Sequence, residues 1–274
     1  MTALHPNAYE LIRPLLLGMD FHLVGRSILA QQTPAQVFVD NHEQPKALFA
    51  QAGHKYILAG DPEIDSFNLG IRKMYTNVIF PQAIAAGEEG LGIYYDAPAW
   101  EEKMDALLTG RKTIHADREY YACNGLKQKW QNVMPEGFQL QMVNADLLAN
   151  TNLKHLETLE EEMKSERPSV DDFLAKSFGV CAIHENELAG WCLSEYNADG
   201  RCEIGIETTS DFRQRGIATA LTLAFLEYAF SHGITEVGWH CFKRNEASAK
   251  TALKAGFDKI CDYKSFIVLL KEQE

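Results

Sequence analysis

Arg213-Gln214-Arg215-Gly216-Ile217-Ala218-Thr219 stands between two unlike stretches of chain. Ahead of it, Cys202-Glu203-Ile204-Gly205-Ile206-Glu207-Thr208 reads as a strand. Behind it, Ala220 to Phe230 is apolar on nearly every side, as a buried helix is. A strand, a short basic loop with one glycine and a buried helix together suit an anion. The first turn of a helix leaves backbone N–H groups without partners, and the macrodipole places partial positive charge there. Gly216 lets the backbone approach a phosphate, Ala218 and Thr219 keep the next turn open, and Arg213 and Arg215 add donors.

This loop resembles the coenzyme A loop of the GNAT acetyltransferases. Its pattern is Arg or Gln, two residues, Gly, one residue, then Gly or Ala; here Arg213, Gly216 and Ala218 fill it. A second block of the family follows in the right order, from Asn245-Glu246-Ala247-Ser248 to Lys254-Ala255-Gly256-Phe257. The resemblance covers roughly residues 137–274. It implies an α/β (α+β) GNAT fold with a mixed, splayed central sheet in the C-terminal half.

The C-terminal half reads as strand, two helices, three strands, helix, strand, helix, strand, which is the family's order. Phe138 to Val143 alternates as a half-buried strand. Asn144 and Ser169 have the chemistry of helix N-caps, and Leu153, Leu156, Leu159 and Met163 form one apolar stripe. Asn197-Ala198-Asp199-Gly200 predicts a hairpin into the strand before the loop. Val237 to Cys241 predicts the next strand, and Ser265 to Leu270 the last.

The N-terminal half predicts helix over residues 7–29, broken at Pro14, and strands at 36–40, 47–49, 55–59 and 91–95. It predicts helix over 71–86, with Pro81 a break or a fresh start, and over 100–108, capped by Thr109-Gly110. Residues 111–129 are undecided between an extended arm and a helix. Met134-Pro135-Glu136-Gly137 is the expected boundary, giving an N-terminal α/β domain at 1–134 and the GNAT domain at 135–274. The strand–turn–strand device at 37–49 recurs at 180–193, so a diverged GNAT-like repeat without the glycine loop is one reading of the first domain.

Composition narrows the class of partner. Apolar content of 46% and charged content of 23% over 274 residues suit a globular chain of one large or two smaller domains. A net charge of −12 argues against nucleic acid and anionic membranes and is compatible with a cationic acceptor. None of Cys123, Cys181, Cys192, Cys202, Cys241 and Cys261 are paired at two-residue spacing, and His240-Cys241 is too small a cluster for a metal site. Buried thiols, no metal and a cytoplasmic protein without signal peptide or membrane span are therefore expected.

The resemblance implies transfer of an acetyl group from acetyl-coenzyme A to an amine, small or peptidyl, by direct attack; a homodimer is compatible with it. Backbone donors for the thioester would come from Ile206, Glu207 and Thr208. The coenzyme would lie along Arg213, Gln214, Arg215, Gly216, Ile217, Ala218 and Thr219, with Asn245 and Ser248 opposite. Asn245 reads equally as a hydrogen-bonding residue and as a helix cap. Glu203 is the first candidate base and Glu207 the second, each also readable as a solvated acid. The family's general acid is a tyrosine where this chain has Ala252, and Tyr263 is a substitute or a packing residue. The alternative reading is therefore a catalytically weakened coenzyme-binding or regulatory module.

Overall fold

The computed structural model describes residues 1–271. Contacts divide these into two compact units: Met1–Asp117 with the chain from Lys264, and Arg118–Tyr263.

The first unit runs β1 (Thr2–Ala3), a 3₁₀ helix (Pro6–Met19), α1 (Leu23–Leu29), β2 (Gln36–Val39), β3 (Ala47–Ala52), β4 (Lys55–Gly60) and α2 (Asp65–Met74). A π-helical turn (Tyr75–Ile79), α3 (Phe80–Ala85), β5 (Gly90–Tyr95), a second 3₁₀ helix (Pro98–Lys103) and α4 (Met104–Leu107) follow. The expected break at Pro14 does not occur; Pro14 lies inside the 3₁₀ helix. Pro81 marks a fresh start rather than a break: it occupies the first turn of α3, where a missing N–H costs no bond.

Residues 113–123 are a strand, β6 (Thr113–Cys123). The chain continues through β7 (Phe138–Met142), α5 (Ala145–Leu148), α6 (Leu156–Ser165), α7 (Val170–Lys176), β8 (Gly179–His184), β9 (Glu187–Ala198) and β10 (Arg201–Thr208). After α8 (Ile217–Ser231) come β11 (Glu236–Phe242), α9 (Glu246–Ala255) and β12 (Asp258–Leu269). The Asn144 side chain accepts from Leu147 N at 2.9 Å and that of Ser169 from Asp172 N at 3.1 Å, so both expected caps form. Asp199 and Gly200 turn the β9–β10 hairpin with φ of +53° and +72°.

The sheet strands of the two units follow one order. In the first unit it is β1-β2-β3-β4-β5-β12, and in the second β7-β8-β9-β10-β11-β6. Directions agree as well: β4 pairs β5 in parallel and β10 pairs β11 in parallel, while the other neighbours in each order are antiparallel. The sixth places are exchanged along the chain. Arg118–Cys123 of β6 pair with Phe242–Val237 of β11, and Ser265–Leu269 of β12 pair with Tyr94–Gly90 of β5. The contact division consequently falls near residue 117 and again near 263 rather than at 134.

Helix α8 is buried on nearly all sides. It packs Leu221, Ala224 and Phe225 with Cys202, Ile204, Val237 and Trp239 of the second sheet and with Ala252, Ala255 and Phe257. Burying each large apolar side chain contributes about 1.5–3 kcal/mol, so this core fixes α8, and its first turn, against β10 and β11. On the other face of the sheet, Leu159, Met163 and Phe173 of α6 and α7 cover Trp191 and Leu193.

Candidate active site

Strands β10 and β11 pair from Arg201–Glu236 through Ile204–Trp239 and then stop. Both continue, to Thr208 and to Phe242, so beyond Ile204 they splay. Gly205–Thr208 keep their partners on β9, Leu193 to Gly190. Their backbone groups on the β11 side have no ladder left to join, which makes them available to a guest in the opening.

The opening widens into a cavity of about 550 Å³. Of the sequence candidates, Ile206, Glu207, Thr208, Arg213, Gln214 and Gly216 line it, as do Ile217, Ala218, Thr219, Asn245 and Ser248. Arg215 does not: its Nη2 donates to Asp211 O at 3.0 Å and its guanidinium lies 5.3 Å from the Phe212 ring centroid. Phe212, Trp239, Thr251 and Lys254 are lining residues that sequence reasoning missed. Strand alternation places Trp239 on the α8 face, but only the register sets it beside Ile204.

Gly216 caps α8 with φ +86° and contributes no side-chain cap. Gln214 also has positive φ, +61°. Left-handed residues alternating along a loop turn successive N–H groups inward, the geometry of an anion-binding concavity. Arg213 shares its donors between Thr208 O and the Glu207 carboxylate, both at 3.0 Å. Glu207, an expected backbone donor and second candidate base, is exposed and carries that ion pair. On the facing wall, Asn245 Oδ1 caps α9 by accepting from Ser248 N at 3.1 Å, and Ser248 Oγ accepts from Trp239 Nε1 at 3.0 Å. Thr208 Oγ1 is buried at the cavity wall without a hydrogen-bond partner among the described residues. A hydroxyl left so in a cavity wall fits a guest that brings polar groups.

Glu203 lies one pair behind the end of the ladder, opposite Gly238. It is 1% exposed, not solvated, and its Oε1 is 3.1 Å from His240 Nε2. Tyr263 is not in the cavity lining; its hydroxyl is 3.0 Å from His240 Nδ1 and accepts from Arg118 Nε at 2.8 Å. Ala252 is fully buried in the α8 core. No hydroxyl can come from that position.

The model of the family described as GNAT acetyltransferase matches residues 14–266. The chain belongs to that family. Its members move acyl groups, and acetyl-coenzyme A is their usual donor. Among curated proteins, the uncharacterized N-acetyltransferase YdfB of Bacillus subtilis (strain 168) is 24% identical over 86% of this chain and 87% of its own. Among solved structures, a GCN5-related N-acetyltransferase-like protein from Streptococcus suis 89/1591 matches with TM-score 0.68 and 18% identity, covering 94% of this chain and 98% of that one. A tandem GNAT protein from the clavulanic acid biosynthesis pathway matches with TM-score 0.60 and 12% identity over 100% and 99%. Both likenesses are of fold. Among the described residues, no helix is long and apolar enough to cross a membrane.

Proposed function

We propose that this chain is an N-acetyltransferase that moves the acetyl group of acetyl-coenzyme A to a primary amine, small or peptidyl, by direct attack in a ternary complex. The observation that carries the reading is the splay beyond Ile204–Trp239, opening beside the glycine-capped first turn of α8. The Gln214–Thr219 backbone would hold the diphosphate, and the β10 edge at Ile206–Thr208 the pantetheine and the thioester oxygen. Asn245 and Ser248 would close the other side.

The reaction asks little more of the protein. The amine nitrogen bonds to the thioester carbon, and the C–S bond breaks with its electron pair going to sulfur. The amine's proton goes through water to the Glu203–His240 pair, since neither residue lines the cavity. Ala252 supplies no acid, and a thiol with pKa of about 8.5 leaves tolerably as the thiolate. With five of the six thiols buried and no disulfide among the described residues, a reducing compartment such as the cytoplasm suits the protein. A homodimer belongs to this proposal only as a state to be measured.

The buried alanine also favours a second reading, a weakened coenzyme-binding or regulatory module. Incubation of acetyl-coenzyme A with a panel of primary amines, following free thiol, separates the two. Acceptor-dependent thiol release supports the transferase. Tight coenzyme binding with no turnover on any amine supports the module.

A further inference from the structure

The face of the second sheet turned away from α8 holds a polar chain outside the cavity lining, and the family pattern says nothing of its members His240 and Arg118. Cys202 and Ile204 point to the α8 core, so Glu203 points to the opposite face, and Gly238 and His240 do so beside it. Tyr120 of β6 pairs with His240, and their rings stack at 4.7 Å and 26°.

Hydrogen-bond chemistry gives this chain a direction. The Arg118 guanidinium only donates, and it donates to the Tyr263 hydroxyl at 2.8 Å. Tyr263 therefore has its own proton to give, and His240 Nδ1 is 3.0 Å away. At the other side of the ring, His240 Nε2 is 3.1 Å from Glu203 Oε1, a charge contact without the alignment of a hydrogen bond. A nitrogen lone pair at that distance would repel the carboxylate, whereas an N–H brings partial positive charge toward it. Both sides of the imidazole ask for one tautomer: a proton on Nε2 and a lone pair on Nδ1.

We propose that Arg118 and Tyr263 are positioning residues that hold His240 as the Nε2–H tautomer against Glu203. The proposal rests on the acetyltransferase reading above and assigns the pair that receives the amine's proton. Packing supports it. Arg118 is held from behind by Phe242, its guanidinium carbon 4.5 Å from the ring centroid. Tyr120, stacked on His240, is reached by Arg201 Nη2 at 3.4 Å, and Arg201 Nε is 2.8 Å from Glu236. Gly238 leaves the space this needs: a Cβ there would lie 3.0 Å from Tyr120 Cε2 and 3.1 Å from Glu203 Cγ.

The test is long-range proton–nitrogen NMR on the full chain with ¹⁵N-labelled histidine, the His240 signal being assigned by its loss in His240→Gln. The expected result is a protonated Nε2 and an acceptor-type Nδ1 in the wild type. Tyr263→Phe, which keeps the ring, should abolish that preference and lower kcat by about ten- to a hundredfold, the scale known for partners that orient metal-ligating histidines. KM for acetyl-coenzyme A should stay unchanged. Arg118→Lys, which keeps a donor, should restore most of what Arg118→Met loses. A wild-type ring protonated on Nδ1 alone or on both nitrogens overturns the proposal. So does a Tyr263→Phe protein with unchanged tautomer and kcat. The NMR result stands even if no amine is acetylated, so failure of the positioning chain and failure of the acetyltransferase reading are told apart.

Discussion

Ile204 and Trp239 are the last pair between two parallel strands that both continue past them. In the first unit the equivalent parallel strands pair through Leu58–Tyr95, and Tyr95 is the last residue of β5. One sheet therefore opens and its counterpart stays closed.

One coenzyme per chain follows. The β4–α2 connection is Asp61-Pro62-Glu63-Ile64, followed by Asp65; it has no glycine, and its carboxylates repel phosphate. Titration calorimetry with acetyl-coenzyme A should give a stoichiometry of one. Two equivalent sites would refute the assignment of a closed first sheet.

Gly216 should be the backbone position on which coenzyme binding depends most. Acetyl-coenzyme A at a hundred times its Kd should stabilise the wild type by about 2.7 kcal/mol. Valine at φ +86° is strained by about 1–3 kcal/mol, which moves the first turn of α8 away from its cap geometry. Gly216→Val should melt lower by itself and gain little or nothing from the coenzyme. Equal ligand-induced shifts in both proteins would remove the loop from the site.

Glu203→Gln should lower turnover by about two to four powers of ten if the carboxylate takes the amine's proton. Amide and carboxylate have nearly the same shape, and Glu203 stands outside the cavity lining, so coenzyme affinity should hardly change. Steady-state kinetics beside a binding isotherm measures both. Unchanged kcat would transfer the role elsewhere.

A fragment of residues 135–274 should fail to fold as a soluble unit. It lacks Arg118–Cys123, the strand segment that pairs with β11 from Val237 to Phe242, and so exposes a central edge. Circular dichroism and a thermal melt of the fragment test this. A cooperative melt with the coenzyme affinity of the full chain would show the exchanged strand to be dispensable.

Acid should destabilise the second unit through Glu119. Hydrogen bonds from Lys259 and from the Tyr121 hydroxyl hold its carboxyl below the usual carboxylate range. A folded-state pKa below the unfolded one means the stabilisation is fully present above the ordinary carboxylate value and is lost as pH falls through the lowered one. Urea midpoints from about pH 7 to about pH 3 should drop less steeply in Glu119→Gln than in the wild type. Parallel curves would show that the pair contributes nothing to acid lability.

Local chemistry was legible in the sequence wherever a short stretch decides its own structure. The Arg213–Thr219 loop, the caps at Asn144, Ser169 and Asn245, and the Asp199–Gly200 turn depend on residues a few places apart, and each lies where the sequence puts it. Family membership followed from two such stretches and their spacing. The identity of 113–123 as a strand was not legible, because its mixed polar pattern becomes a strand only through its partner β11. Nor was the surrounding of Glu203: alternation could name its face, but its burial and its contact with His240 come from the register of two strands more than thirty residues apart. Tyr263 and Arg118 meet across 145 positions. Pairing over such separations is set by the side chains that the whole sheet buries at once, and no local pattern encodes it. The sequence by itself therefore determined the family this chain belongs to and the place of its glycine loop. The tertiary structure decided which residues line the cavity beside that loop, which strand each unit's sheet takes as its sixth, and why only one sheet opens.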